Sequence, residues 1–561
     1  MNAIFGAIII TLKRLSASQE TGSFIGSFPK NMMEVHPAMI SNPILTGFNP
    51  DASFLRVGED YYIATSTFEW FPGVQLYHSK DLANWELLPH ALQRTSQVDL
   101  RGNPSSGGIW APALSYDNGI FYLLYTDVKG RKGVFKDLYN YLVTAENING
   151  PWSEPVYLNG SGFDPYLFHD EDGTKWVLNM QWDFRDNHKR FGGIVMQQYD
   201  PQEQRLVGPI KKIYEGTDIG VTEGPQVFKR DGYYYLLVAE GGTGINHAAT
   251  LARSRHLEGP YETDPSYPIL TTRGAVDYPL QNAGHGMVVE TQTGEWYMTH
   301  ICSRPFAGTN LNPLGRETSL QRCIWTEDGW LRLAHEGRLP ALQAPAPDLA
   351  QHPFPEQPAK DDFDTPSLGL QYQTLRVPAE ESWLSLSERP GWLRLRGRES
   401  LNSWHRQSMV VRRLQHFNCT VETRMDYDPE HFMQMAGLVF YYDEQDYFYL
   451  RVTRDDENGR KLGVVFSNSG KYQEDRANEL NVDGWQTYYL RAIVKERALQ
   501  FYASPDGKEW QAVGGELDMG VLSDEYGGKL GFTGTMIGLC AQDINGTKKH
   551  ADFDYFSYVT A

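Results

Sequence analysis

Apolar and polar residues alternate with a period of two along most of the chain, and a tight turn recurs within that alternation. The recurring unit is an apolar stretch, a turn centred on Gly, then a strand rich in Tyr or Trp. It occurs at Gly58 before Tyr61-Tyr62, Gly119 before Phe121-Tyr122, Gly173 before Trp176, Gly232 before Tyr233-Tyr234-Tyr235 and Gly294 before Trp296-Tyr297. Asp or Asn beside Gly between alternating runs marks a hairpin, because these residues accept the positive φ of a tight turn. Three units also carry a polar turn ahead of an aromatic: Ser79-Lys80-Asp81-Leu82 before Trp85, Asn147-Ile148 before Trp152, and Arg255-His256-Leu257 before Tyr261. An interval of roughly sixty residues holds four strands and their loops, and five such units about an axis predict a five-bladed β-propeller. We place it at residues 41–340. A β-sandwich with coincidental spacing is the alternative.

Between Pro340 and Pro358 the chain carries six prolines and few strand-like runs, the pattern of an extended linker, here 341–361. Alternation resumes at Phe363 in segments such as Trp392–Arg396, Met409–Val411, Leu438–Tyr442, Tyr447–Val452 and Trp485–Leu490. These predict a β-sandwich of the concanavalin-like jelly-roll type over 362–561, so the whole chain is expected to be all-β. Residues 1–40 read as a loosely ordered leader. Its apolar run Ala3 to Ile10 has no basic residue before it and no clear small-residue cleavage site, and is too short to span a bilayer. A native start at Met32, Met33 or Met39 fits that reading.

In a propeller the innermost strand of every blade begins beside the axis, so residues at equal distance upstream of equivalent hairpins converge there. Nine residues before the last four turn glycines stand Trp110, Asp164, Glu223 and His285; Asp51 lies seven before Gly58, which keeps it on the same strand face. Each acid sits among small, turn-forming or apolar residues: Phe48-Asn-Pro-Asp51-Ala-Ser, Gly162-Phe-Asp164-Pro-Tyr and Thr222-Glu223-Gly-Pro. Singly, each also suits a turn cap or a structural acceptor. Their common phase in the repeat favours one shared site.

Composition narrows the chemistry. The formal charge of −19 argues against nucleic acid, whose binding depends on Lys and Arg, and favours a neutral substrate. The 13% aromatic share, much of it Tyr and Trp, suits half-buried strands and stacking on sugar rings. Cys302, Cys323, Cys419 and Cys540 have no metal-ligand spacing and read as free thiols of a reducing, cytoplasmic compartment. The sequence has no Walker loop, no His-Glu-x-x-His and no paired Cys motif, so no organic cofactor is expected. No membrane partner is indicated, and a homo-oligomer is left open.

The segments Gly47-Phe-Asn-Pro-Asp51-Ala-Ser, Trp110-Ala-Pro112, Phe163-Asp164-Pro-Tyr, Thr222-Glu223-Gly-Pro, Asn282-Ala-Gly-His285-Gly and Leu314-Gly-Arg316-Glu-Thr occur in an order that resembles glycoside hydrolase family 43, and most its β-xylosidase branch. The resemblance runs from about Asn42 to the C-terminus. It implies a five-bladed propeller and an inverting hydrolysis, with Asp51 as general base, Asp164 as modulator of pKa and Glu223 as general acid. It also implies a substrate-binding role for Arg316, with a surface ion pair as the alternative, an axial His285 either in contact with a divalent cation such as Ca through solvent or serving as a satisfied structural histidine, and a sandwich loop, Gly531-Phe532-Thr-Gly-Thr-Met536, lent to the pocket, with Met536 where relatives often carry an aromatic. Trp110, Phe68, Trp70 and Phe71 are candidate stacking walls, with core packing as the alternative.

The chemistry agrees with that assignment. Inversion needs an ionised carboxylate to activate water and a protonated carboxyl to donate to the leaving oxygen, roughly 6.5–9.5 Å apart; like charge from Asp164 keeps Glu223 protonated. The expected activity is exo-hydrolysis of β-1,4-xylo-oligosaccharides from the non-reducing end, with α-L-arabinofuranosides as further substrates. An arabinofuranosidase, an arabinan- or fructan-directed hydrolase, and a non-catalytic carbohydrate-binding propeller are the competing readings.

Overall fold

The computed structural model describes residues 38–560. Five separate sheets of four antiparallel strands follow one another between Ser53 and Leu333, the fourth carrying one extra short strand. Their inner strands are Ser53–Val57, Gly108–Asp117, Gly162–His169, Glu223–Arg230 and Gln281–Glu290. Each touches the next, and the first touches the fifth, so the blades form a closed ring. Closure is reinforced ahead of the first blade: Ile44 N–H donates to the Thr318 carbonyl at 2.9 Å and Asn42 Nδ2 to that of Leu320 at 2.8 Å, both in the fifth blade. The five turn glycines from Gly58 to Gly294 all have positive φ, as the hairpin reading requires.

The C-terminal part is a two-sheet sandwich whose facing strands bury a core that includes Leu438, Phe440, Leu450, Leu490, Phe501 and Phe553. Large apolar side chains of this kind stabilise by about 1.5–3 kcal/mol each when fully buried. Alternation is visible in the burial itself, which switches at every residue along Asn418–Asp426. Only three short 3-10 turns occur among the described residues. The fold is all-β, a five-bladed propeller followed by a concanavalin-like sandwich.

Two features depart from the expected division of the chain. The proline-rich segment is not simply a spacer: Gln343–Pro345 pairs with Met39–Ser41, and the Pro345 carbonyl accepts the Tyr297 hydroxyl at 2.9 Å. The leader apart from its last few residues lies outside the described residues, and its end is this strand. In addition, Trp70–Phe71, inside the first blade's sequence, pairs with Gln373–Leu375 and so extends a sandwich sheet. Propeller and sandwich therefore share a hydrogen-bonded sheet.

Candidate active site

The inner strands do not run smoothly past the axis. In the second to fifth blades their pairing with the next strand shifts register, at Trp110/Ala113, Phe163/Tyr166, Glu223/Gln226 and Gly284/Met287. Such bulges bend a strand and re-aim its side chains. Residues in the left-handed region mark the same level of each blade: Asp51 at φ 58°, Ala111 at 37°, Asp164 at 56°, Gly224 at 57° and His285 at 46°. Non-glycine residues seldom occupy this region, and its concentration at one end of the axis is typical of functional sites. Gly224 is required twice over, because a Cβ there would also lie 2.7 Å from the His285 ring.

These bends open a cavity of about 320 Å³ at the axis, at the small end of ligand pockets, which span about 300–1,000 Å³. Asp51, Asp164, Glu223, His285, Arg316, Trp110 and Phe68 all line it. Seven residues separated by up to 265 positions thus meet in one place.

The three carboxyl groups have different surroundings. Asp51 Oδ2 accepts the Ser66 hydroxyl at 2.6 Å, while Oδ1 lies 3.4 Å from Arg316 Nη1 and 3.3 Å from His285 Nδ1. Burial pushes its pKa up, but Arg316, His285 and Ser66 together outweigh burial and hold it well below the usual carboxylate range. Ser66 is fixed in turn by accepting the Ala111 N–H at 2.8 Å. Asp164 is raised by burial, though its Oδ2 accepts the Gly224 N–H at 3.0 Å and His285 opposes the rise. Glu223 is raised further, first by burial and then by the negative charge of Asp164, with no hydrogen bond among the main causes. The two behave as a pair: once the first proton has left, the second must leave beside a buried carboxylate, which raises the second step. His285 is shifted up, because its contact with Asp51 and the charges of Asp164 and Glu223 exceed the cost of burying its cation.

The surroundings therefore favour the ionised form of Asp51 and the protonated form of Glu223. A base works above its pKa and an acid below its own, so kcat/KM is expected to follow a bell. Its acidic limb should lie below the ordinary carboxylate range and its alkaline limb above it. A pH–rate profile checks this, and an alkaline limb at ordinary carboxylate values would remove Glu223 as the acid.

Two expected walls are elsewhere. Trp70 is fully buried, packed edge-on against Tyr441 at 6.0 Å, because its strand belongs to the sandwich sheet. Phe71 faces the packed interior between the first and second blades. Met536 is also fully buried: it opens the strand Met536–Asp543, pairs with Arg413 and Tyr441, and packs in the same cluster as Phe48, Phe68 and Trp70. The aromatic that the sandwich lends to the cavity is Phe532, which stacks on Phe68 at 6.3 Å and meets Trp110 edge-on at 5.3 Å. Arg316 Nη2 donates to its carbonyl at 3.0 Å. Arg131, Lys136, Trp182 and Phe191 also line the cavity. All four lie in loops or at strand ends of the second and third blades, where spacing carries no signal.

Among the described residues no group of three His, Cys, Asp or Glu side chains is arranged to hold a metal ion. The His285 ring faces Asp51 and Gly224, a setting that does not fit direct metal ligation.

Comparison with known proteins agrees with the architecture and the motifs. Residues 40–331 match the model of glycosyl hydrolases family 43, and residues 360–559 that of the β-xylosidase C-terminal concanavalin A-like domain. A crystal structure of a xylan β-1,4-xylosidase from Bacillus halodurans C-125 superposes with a TM-score of 0.91 at 56% identity, covering 93% of this chain and all of that one. A xylan 1,3-β-xylosidase from a Vibrio species is 49% identical over 93% of this chain and 99% of its own, and a xylosidase/arabinosidase from Humicola insolens is 47% identical over 92% and 97%. With its propeller, its sandwich and the three-acid cavity between them, the chain belongs to glycoside hydrolase family 43.

Proposed function

We propose that the protein is an exo-acting, inverting β-xylosidase that removes xylose from the non-reducing end of xylo-oligosaccharides, with the β-1,4 linkage as its principal substrate. The observation that carries this reading is the meeting, in one small cavity, of an acid held ionised and an acid held protonated, under a lid residue from the second domain. In this reading Asp51 takes a proton from the attacking water and Glu223 gives one to the departing oxygen. Asp164 keeps the Glu223 pKa high, and Arg316 orients Asp51 while offering donors to sugar hydroxyls. Phe532 across the cavity blocks a polymer from lying through it, which favours chain ends.

Water entering opposite an equatorial leaving group leaves an axial hydroxyl, so xylose released from an aryl β-xyloside, which yields no second sugar, is expected to appear first as the α anomer. Proton NMR during the first minutes of reaction checks this, and β-xylose as the first product would contradict the assigned roles. A second reading, hydrolysis of α-L-arabinofuranosides in the same cavity, is favoured by the activity named for the Humicola relative. Aryl β-xyloside and aryl α-arabinofuranoside assayed side by side separate the two, and inactivity on both would end the pentoside reading.

A further inference from the structure

Phe532 reaches the cavity from a part of the chain 426 residues away from Ser106, yet Ser106 Oγ accepts its backbone N–H at 3.1 Å. The same serine accepts the Trp110 indole N–H on its carbonyl at 2.9 Å. Its own N–H donates to Glu69 Oε2 at 3.0 Å. Every polar group of this residue is thus engaged, two of them by adjoining residues of the pocket lining, one from each domain. It is 2% exposed and sits at φ 59°, a strained conformation for serine that the surrounding bonds over-determine. The neighbouring Ser105 is tied to the sandwich as well, accepting Arg376 Nη2 at 3.2 Å and donating to Glu444 Oε2 at 2.5 Å.

From this geometry we infer that Ser106 is a positioning residue that fixes the aromatic wall of the sugar pocket, by holding Trp110 of the propeller and Phe532 of the sandwich in contact with one another. The Phe532 peptide is clamped at both ends: its N–H by Ser106 and its carbonyl by Arg316. The two rings meet edge-on at 5.3 Å, and an aromatic wall held at fixed spacing binds a pyranose or furanose ring without first having to order itself. Ser106 touches no reacting atom. Its hydroxyl acts only through Phe532, and this is what distinguishes the role from general structural support.

The inference rests on the pentoside reading above, and the test separates the two. Ser106→Ala keeps the Cβ and the backbone bonds but deletes the acceptor for Phe532. On whichever aryl pentoside the wild type hydrolyses, kcat/KM is expected to fall about three- to tenfold, the worth of one hydrogen bond, chiefly through a raised KM. The acidic limb of the pH profile should stay in place, since Asp51 keeps its partners. In a Phe532→Ala background the same substitution should cost less than about twofold, because the wall it positions is gone. Ser106→Gly, which relieves the left-handed backbone and also lacks the hydroxyl, should reproduce the result if Ser106→Ala folds poorly. Equal losses in both backgrounds, or no loss in the single variant, would overturn the role. Wild-type inactivity on both pentosides would instead remove the function on which it rests.

Discussion

Glu223→Ala is expected to lower kcat/KM on xylobiose by about 10³–10⁴-fold while costing tenfold or less on an aryl xyloside whose phenol is strongly acidic. The difference follows from what the carboxyl supplies. Departure of a sugar alkoxide is prohibitive without a proton, whereas an acidic phenol leaves as the anion. The larger loss corresponds to about 4–5 kcal/mol of transition-state stabilisation. Glu223 begins its strand at the cavity wall with burial and the neighbouring Asp164 both favouring its protonated form, so its removal should also abolish the alkaline limb of the pH profile. Steady-state kinetics on the two substrates checks both statements. A loss of equal size on both would show that Glu223 does not protonate the leaving group.

Asp164 acts through this same carboxyl. With its charge removed, as in Asp164→Asn, Glu223 loses the larger of the two negative charges' influences that raise it beside burial, so its pKa moves down. The donor is then depleted at lower pH than before, while Asp51, held by Arg316 and His285, is little affected. One negative charge beside the acid and two positively charged groups beside the base thus divide the labour of three otherwise similar carboxyl groups.

Much of this arrangement is legible in the sequence because it obeys a repeat. Turn glycines fix the phase of each inner strand, and residues at that phase, Trp110, Asp164, Glu223 and His285, arrive together at the axis. Arg316, outside the phase, was indicated only by its motif. The register shifts and left-handed residues that aim these side chains have no signature of their own, since Asp51 and Asp164 are not residues that favour positive φ as glycine does. Trp70 was misplaced because its environment is set by a non-local pairing: its strand leaves the first blade and joins Gln373–Leu375 in the sandwich. Met536 departs from its expected place for the opposite reason. The lent segment does reach the cavity, but its contact is Phe532 in the loop, and by Met536 the chain has re-entered a buried strand. Ser66 and Ser106 were invisible for a simpler reason. A serine's importance here lies in its partners, and those are distant in the chain.

Asp51→Asn, finally, is expected to lower kcat by about 10²–10⁴-fold on xylobiose and aryl xyloside alike. Activation of water is needed whichever group departs, so the loss should not depend on the leaving group. This sets it apart from Glu223→Ala. The amide nearly preserves side-chain volume and still accepts the Ser66 hydroxyl, but it removes the negative charge that faces Arg316 and His285. A buried cation that loses its partner costs about 3–5 kcal/mol, and His285 offers one release: with Asp51 neutral, the contact and charge that raise its pKa are lost while burial still lowers it, so the imidazole sheds its proton more readily. Arg316 has no such escape. The variant is therefore expected to melt at lower temperature as well as to lose turnover, and to lose the acidic limb of its pH profile. Thermal unfolding, kinetics on both substrates and the pH profile check these outcomes separately. A loss confined to poor leaving groups, or unchanged turnover in a folded variant, would mean that the water is activated by some other group in the cavity.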